Sequence, residues 1–182
     1  EYIHGRNNEV SLKHFISPDL SREEIEELAE EKEQCYRDLC MKSSEFRLAD
    51  GLPEFLDELA DRQIPMTIAT ASMEKNVQFF FEHLGLDRWF SYDQVALNDG
   101  TMKGKPEPDI FLRAAELMGV RPEECMVFED AKSGIEAARR AGACRVVGVA
   151  SMQEEENLRR WGATAVIRGY QDWEKLMELL ED

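Results

Sequence analysis

Beyond residue 52 the chain alternates between two hydrophobic rhythms. Short, nearly continuous apolar runs, PMTIAT (65–70), CMVFE (125–129), CRVVGVA (144–150) and TAVI (164–167), are separated by stretches in which apolar residues recur every three or four positions. The first pattern predicts strands buried on both faces, the second amphipathic helices. The expected helices are PEFLDELADR, EKNVQFFFEHLG, PDIFLRAAELMG, SGIEAARRAG, QEEENLRRWG and DWEKLMELL, with WFSYDQVAL as a further strand between the second and third. Strands that alternate with helices run parallel, because each crossover needs a helix to return the chain. The fold class is therefore α/β, a Rossmann-like parallel sheet with helices on both faces. Gly85, Gly119, Gly142 and Gly162 fall where helical patterns end, as left-handed C-caps require.

The first fifty residues carry no such alternation. Residues 21–42 predict one helix, with Ser21 as N-cap and Glu24 completing a capping box. Ile25, Leu28, Ala29, Tyr36, Leu39 and Cys40 mark its apolar stripe, and Glu23, Glu24, Glu26, Glu27, Glu30, Glu31 and Glu33 are expected on a solvated face. A shorter helix is expected over 8–16, ended by Pro18, and Asp50-Gly51 is the turn into the next unit. The organisation expected is a helical unit over 1–50 and an α/β core over 51–182.

Composition narrows the function classes. With 182 residues the chain can bury a real core, and no apolar run reaches the ~20 residues needed to cross a bilayer. A formal charge of −16 without a basic patch argues against nucleic-acid binding, so an anionic ligand would need local neutralisation. Cys35, Cys40, Cys125 and Cys144 show no CxxC spacing and are expected as free thiols, the last two as small buried residues inside strands. His4, His14 and His83 show no metal-binding or triad spacing. The polar opening EYIHGRNNEV lacks a signal-peptide pattern, so the cytoplasm is the expected compartment.

In a doubly wound sheet the ligand site lies beyond the carboxyl ends of the strands. Three such places carry chemistry. Thr70-Ala71-Ser72 follows PMTIAT and precedes a helix, which suits either a helix cap or an oxyanion site. Lys105 lies in Lys103-Gly104-Lys105-Pro106-Glu107-Pro108-Asp109, where proline stiffens the loop and the ammonium is either a solubilising charge or the partner of a bound anion. Glu129-Asp130 ends CMVFE. Adjacent carboxylates repel unless a cation joins them and hard oxygen ligands suit Mg²⁺, although Asp130 as a simple N-cap is the alternative.

Taken in order, a hydroxyl after a strand, then GKPEPDIF, then VFEDAKSGIEAARRAG closely resembles the haloacid dehalogenase superfamily, in its branch of helical-cap phosphatases and β-phosphoglucomutase-like enzymes. The similarity extends over nearly the whole chain, with HGRNNEV and EELAEEKEQCYRDL resembling part of that branch's cap. The resemblance implies catalytic roles for Thr70 and Lys105, phosphate binding by Thr70, Ala71 and Lys105, and Mg²⁺ binding by Glu129 and Asp130. It also implies a phosphatase acting on a small phosphorylated metabolite through an aspartyl phosphate, as a monomer or weak dimer, with no nucleic-acid or membrane partner. Lys32, on the apolar stripe of the long helix, is a candidate cap contact to substrate; its other reading is a stem that covers apolar surface. Asn8 stands where the mutases carry arginine, which favours phosphatase over mutase. No DxDx(T/V) segment, the family's source of the nucleophile, occurs in these residues. The expectation is an N-terminally incomplete chain whose core lacks its first strand and which is inactive alone, with a non-catalytic binding protein as the alternative.

Overall fold

The computed structural model describes residues 8–97 and 101–181. Residues 4–7 of the cap-like stretch and the Asp99-Gly100 pair lie outside them. Two helices come first, α1 (Asn8–Phe15) and α2 (Arg22–Lys42), which pack on each other. Ser21 caps α2 as its sequence predicts: its hydroxyl accepts from the Glu24 N–H, and the Glu24 carboxylate accepts from the Ser21 N–H.

From α3 (Leu52–Asp61) onward helices and parallel strands alternate. The order is β1 (Ala69–Thr70), α4 (Glu74–Leu84), β2 (Ala96–Leu97), α5 (Asp109–Met118), β3 (Met126–Glu129), α6 (Lys132–Ala141), β4 (Arg145–Val149), α7 (Glu155–Trp161), β5 (Ala165–Ile167) and α8 (Trp173–Glu181). β1 pairs with β2, Thr70 opposite Leu97, and β3–β4–β5 form a second sheet in which Glu129 lies opposite Gly148. Among the described residues no ladder joins β1 to β3.

Successive residues of β3 point to opposite faces, and each face is covered. Val127 packs with Ile110, Phe111, Ile135, Ala138 and Leu158, from α5, α6 and α7. Its neighbour Phe128 packs with Phe55, Leu56, Leu59, Leu176 and Met177, from α3 and α8. This two-sided burial is why the strand sequences read as unbroken apolar runs. It also leaves the strands' carboxyl ends as the exposed rim where a site can form.

Gly51 fixes how α3 enters the core. Its φ is +80°, and a Cβ there would collide with the backbone of Tyr170 and Gln171. Gly51→Ala therefore meets left-handed strain of ~1–2 kcal/mol in addition to a backbone clash, and should lower the urea midpoint at unchanged m-value.

Four expectations need correction. WFSYDQVAL is mostly not a strand: Tyr92–Gln94 is a single 3₁₀ turn, and only Ala96–Leu97 pair. Its aromatic rings pack as anchors instead, Trp89 and Phe90 against the α3–α8 cluster and Tyr92 against Phe81. PMTIAT is likewise shorter than its apolar run, because only Ala69 and Thr70 have a ladder partner. On α2 the buried stripe is Ala29, Glu33 and Arg37, whereas Tyr36 and Leu39 are exposed. Glu33 is thus not on the solvated face. Finally, Cys125 and Cys144 each precede their strand by one residue, and they are part-exposed and exposed rather than buried. All four cysteines are free thiols.

Candidate active site

Thr70, Ala71, Lys105, Glu129, Asp130 and Lys32 all line one cleft of about 1420 Å³, between α2 and the carboxyl ends of β1 and β3. At the end of β1 the chain turns into α4, and the Thr70 Oγ1 accepts from the Ser72 N–H at 3.0 Å. That bond fixes the hydroxyl at the mouth of the turn. Ala71 is exposed there, one residue further along.

Lys105 is presented from the turn that precedes α5. The Lys105–Pro106 peptide is cis, and the Asp109 carboxylate at the start of α5 accepts from the Lys103 N–H at 3.1 Å, which closes the loop. The Lys105 ammonium lies 4.9 Å from the centre of the Phe111 ring and donates to the Glu129 Oε1. Both side chains of this ion pair are only 11% exposed. The pair is a strong positioning element, because loss of either partner would strand a charge in a poorly solvated place.

Glu129 is held from its other side by Gly134, where a Cβ would overlap the carboxylate. Only glycine lets α6 come this close. Asp130, the next residue, is exposed to the cleft and accepts from the Ser151 hydroxyl at 3.4 Å. Its charge, after burial, is the second cause that pushes the Tyr170 hydroxyl up to about 12.

The donor set is small: among the described residues no three His, Cys, Asp or Glu side chains gather as a metal site, and Glu129 and Asp130 alone would hold a hard divalent cation here. Two carboxylates on consecutive residues suffice for Mg²⁺, which keeps waters and substrate oxygens as its remaining ligands. The Ser133 hydroxyl, on the cleft wall beside them, is buried without a hydrogen-bond partner. It is an unsatisfied buried polar group among the cleft-lining residues.

Lys32 enters the cleft from α2, half-exposed, with its ammonium 2.6 Å from the Glu33 Oε1. Glu33 also accepts from Asn8 at 3.0 Å and from Asn76 at 2.6 Å, and the Asn76 carbonyl accepts from Arg37 at 2.7 Å. Arg37 in turn donates to Glu30 and Gln34, both at 2.8 Å. This network ties α2 to the first turn of α4, directly after the Thr70 turn. Sequence reading missed Glu33 and Asn76 as cleft residues. The one available signal was an Asn in the first turn of a helix that also lacks a side-chain N-cap.

The network should respond to acid. Burial alone would raise the Glu33 carboxyl, but hydrogen bonds from Lys32, Asn8 and Asn76 outweigh it and hold it below the ordinary glutamate value. A depressed carboxyl contributes stability that is complete above its unfolded pKa of about 4.3 and is lost as pH falls through the folded value. Asn76→Ala removes a 3% exposed hub and leaves Arg37 and Glu33 short of partners, so it should cost ~1–3 kcal/mol in chemical denaturation and reduce that acid sensitivity.

The geometry meets a clear match among known proteins. Residues 5–142 match the family model of haloacid dehalogenase-like hydrolases. The chain belongs to this family. It is 32% identical over 152 residues to a phosphorylated carbohydrates phosphatase of Thermotoga maritima, covering 83% of this chain and 67% of that protein. It is also 32% identical over 183 residues to a β-phosphoglucomutase of Mycobacterium tuberculosis, covering 91% and 69%. Among solved structures, a family IA, variant 3 hydrolase from Entamoeba histolytica superposes with a TM-score of 0.88 at 38% identity, covering all of this chain and 82% of that one. The family's fold and its β-phosphoglucomutase-like branch are therefore shared. The chain spans about two thirds of the length of the Thermotoga and mycobacterial relatives. Among the described residues no helix is long and apolar enough to cross a membrane.

Proposed function

We propose that the whole protein is a Mg²⁺-dependent phosphatase of small phosphate monoesters, acting through an aspartyl phosphate whose aspartate comes from a DxDx(T/V) segment outside these residues. The observation that carries this reading is the convergence of Thr70, Lys105, Glu129 and Asp130 on one cleft at the carboxyl ends of β1 and β3. Phosphoryl transfer needs alignment and charge stabilisation above all. The Thr70 hydroxyl and the Ala71 N–H bind the transferring oxygens, and the Lys105 ammonium balances their charge while Glu129 fixes where that ammonium sits. When bound by Asp130 with Glu129, Mg²⁺ supplies further neutralisation of the phosphoryl oxygens.

In this reading residues 1–50 are part of a cap and residues 51–182 a core in which a further strand runs between β1 and β3. The cap excludes water from the cleft and presents Lys32 to the substrate. The partner is a small phosphorylated metabolite, met in the cytoplasm by a monomer or weak dimer, with no nucleic acid or membrane involved. A sugar phosphomutase is the second reading, favoured by the similarity to β-phosphoglucomutase over 91% of the chain. Asn8 speaks against it: its amide is engaged with Glu33 and with the Met73 sulfur at 3.4 Å, and it carries no charge for a second phosphate.

A parallel screen separates these readings. The protein with its upstream segment is incubated with a panel of sugar phosphates, and both free phosphate and isomerised sugar phosphate are measured. Phosphate release without isomerisation is expected. Isomerisation as the faster reaction would establish the mutase, and the absence of both would leave a non-catalytic binding protein.

A further inference from the structure

At the opposite end of β3 and β4 from the cleft stand two thiols that the proposed chemistry does not use. The Cys144 N–H donates to the Cys125 carbonyl oxygen at 3.1 Å, and the Cys144 Sγ lies 3.2 Å from the same oxygen. A direct backbone bond of this kind holds the two residues within the roughly 4.4–6.8 Å Cα separation that a disulfide spans. Their strands are locked in parallel register from the next residue on, Met126 opposite Arg145, so the spacing is set by the sheet rather than by a flexible loop.

We infer that Cys125 and Cys144 form a dithiol–disulfide couple, a two-electron oxidation site at the amino-terminal edge of the sheet. Cys144 is exposed and meets the oxidant first; Cys125 is part-buried. Burial, then Cys144, Glu124 and Glu123, push the Cys125 thiol up, so it stays protonated at neutral pH and acts second. With a small-molecule disulfide such as oxidised glutathione, the Cys144 thiolate attacks one sulfur and releases one glutathione thiolate. Cys125 then loses its proton, its sulfur attacks the Cys144 sulfur, and the second glutathione leaves as a thiol. Two protein thiols are oxidised to one disulfide and one glutathione disulfide is reduced to two thiols. The bridge closes a loop between residues 19 apart and ties the entry of β3 to that of β4.

The test uses the protein with its upstream segment, any cysteine of that segment first being changed to serine. After exposure to oxidised glutathione, titratable thiols are counted, the linked peptides are mapped by mass spectrometry without reduction, and melting is followed with and without reductant. The four thiols should fall to two, with the Cys125 and Cys144 peptides joined and lighter by two hydrogens. Tm should rise by about 5–10 °C in the oxidised form, because a bridge between residues already in register adds constraint without strain. Cys125→Ser should stop the reaction at a glutathione adduct on Cys144, and Cys144→Ser should slow all reaction at Cys125. Four unreacted thiols, a bridge joining Cys35 to Cys40, links only between molecules, or a Cys125–Cys144 bridge that lowers Tm would each overturn the inference.

Discussion

Replacing Asp130 by asparagine in the protein that carries its nucleophile segment is expected to lower kcat/KM for p-nitrophenyl phosphate by roughly 10²- to 10³-fold, the size of effect seen when one charge-stabilising group leaves an active site. Glu129→Gln should cost less, roughly 10- to 100-fold, as for partners that act through another residue. The difference follows from the two environments. Asp130 is exposed to the cleft and only lightly engaged by Ser151, whereas Glu129 is enclosed between Lys105 and Gly134. Its loss therefore acts mainly by releasing the lysine ammonium. The check is a Mg²⁺ titration of both variants: Asp130→Asn should require far more Mg²⁺ than wild type, and equal curves would remove the metal role from Asp130.

The 182-residue chain purified alone is expected to release no phosphate from p-nitrophenyl phosphate at any Mg²⁺ concentration. No DxDx(T/V) occurs in it, so the aspartate that the proposed mechanism uses as nucleophile is not among these residues. The structure adds a second consequence. β1 and β3, of two and four residues, belong to separate sheets. Backbone groups without ladder partners on the free edges of β1 and β3 cost ~1–3 kcal/mol each when buried, and a handful of them equals the ~5–15 kcal/mol stability of a typical domain. The chain alone should therefore unfold at low denaturant with poor cooperativity, or self-associate across the gap, as sedimentation and urea titration would show. Supplying the upstream segment should restore both cooperative unfolding and turnover. Turnover by a homogeneous monomer that begins at Glu1 would refute this.

Local signals in the chain were strong enough to place most elements. The Ser21–Glu24 capping box fixed the start of α2, and the glycine C-caps and two-sided apolar runs located β3, β4 and β5 with their helices. Periodicity misled where polar groups satisfy one another across long sequence distances. Glu33 reads as a solvent-facing charge in the acidic run, yet it and Arg37 are buried: Asn76, 43 and 39 residues away, donates to the glutamate and accepts from the arginine. Apolar density misled in WFSYDQVAL, where Trp89 packs against the α3–α8 cluster, Tyr92 stands edge-on to Phe81, and only Ala96 and Leu97 enter a ladder. The cleft residues were legible because a parallel sheet places strand ends together. What the sequence did not disclose was the internal order of the site: that Lys105 is spent on Glu129, that Gly134 makes room for that carboxylate, and that Ser133 is left with its hydroxyl unpaired beside it.

The most direct measurement is a crystal structure of the protein with its upstream segment, grown with Mg²⁺ and vanadate as a mimic of the transferring phosphoryl group. The account predicts vanadate in the cleft, within hydrogen-bond distance of the Thr70 hydroxyl and the Lys105 ammonium, with the metal on the Asp130 carboxylate. Vanadate bound elsewhere, or bound in the cleft with Thr70, Lys105 and Asp130 all out of contact, would contradict it.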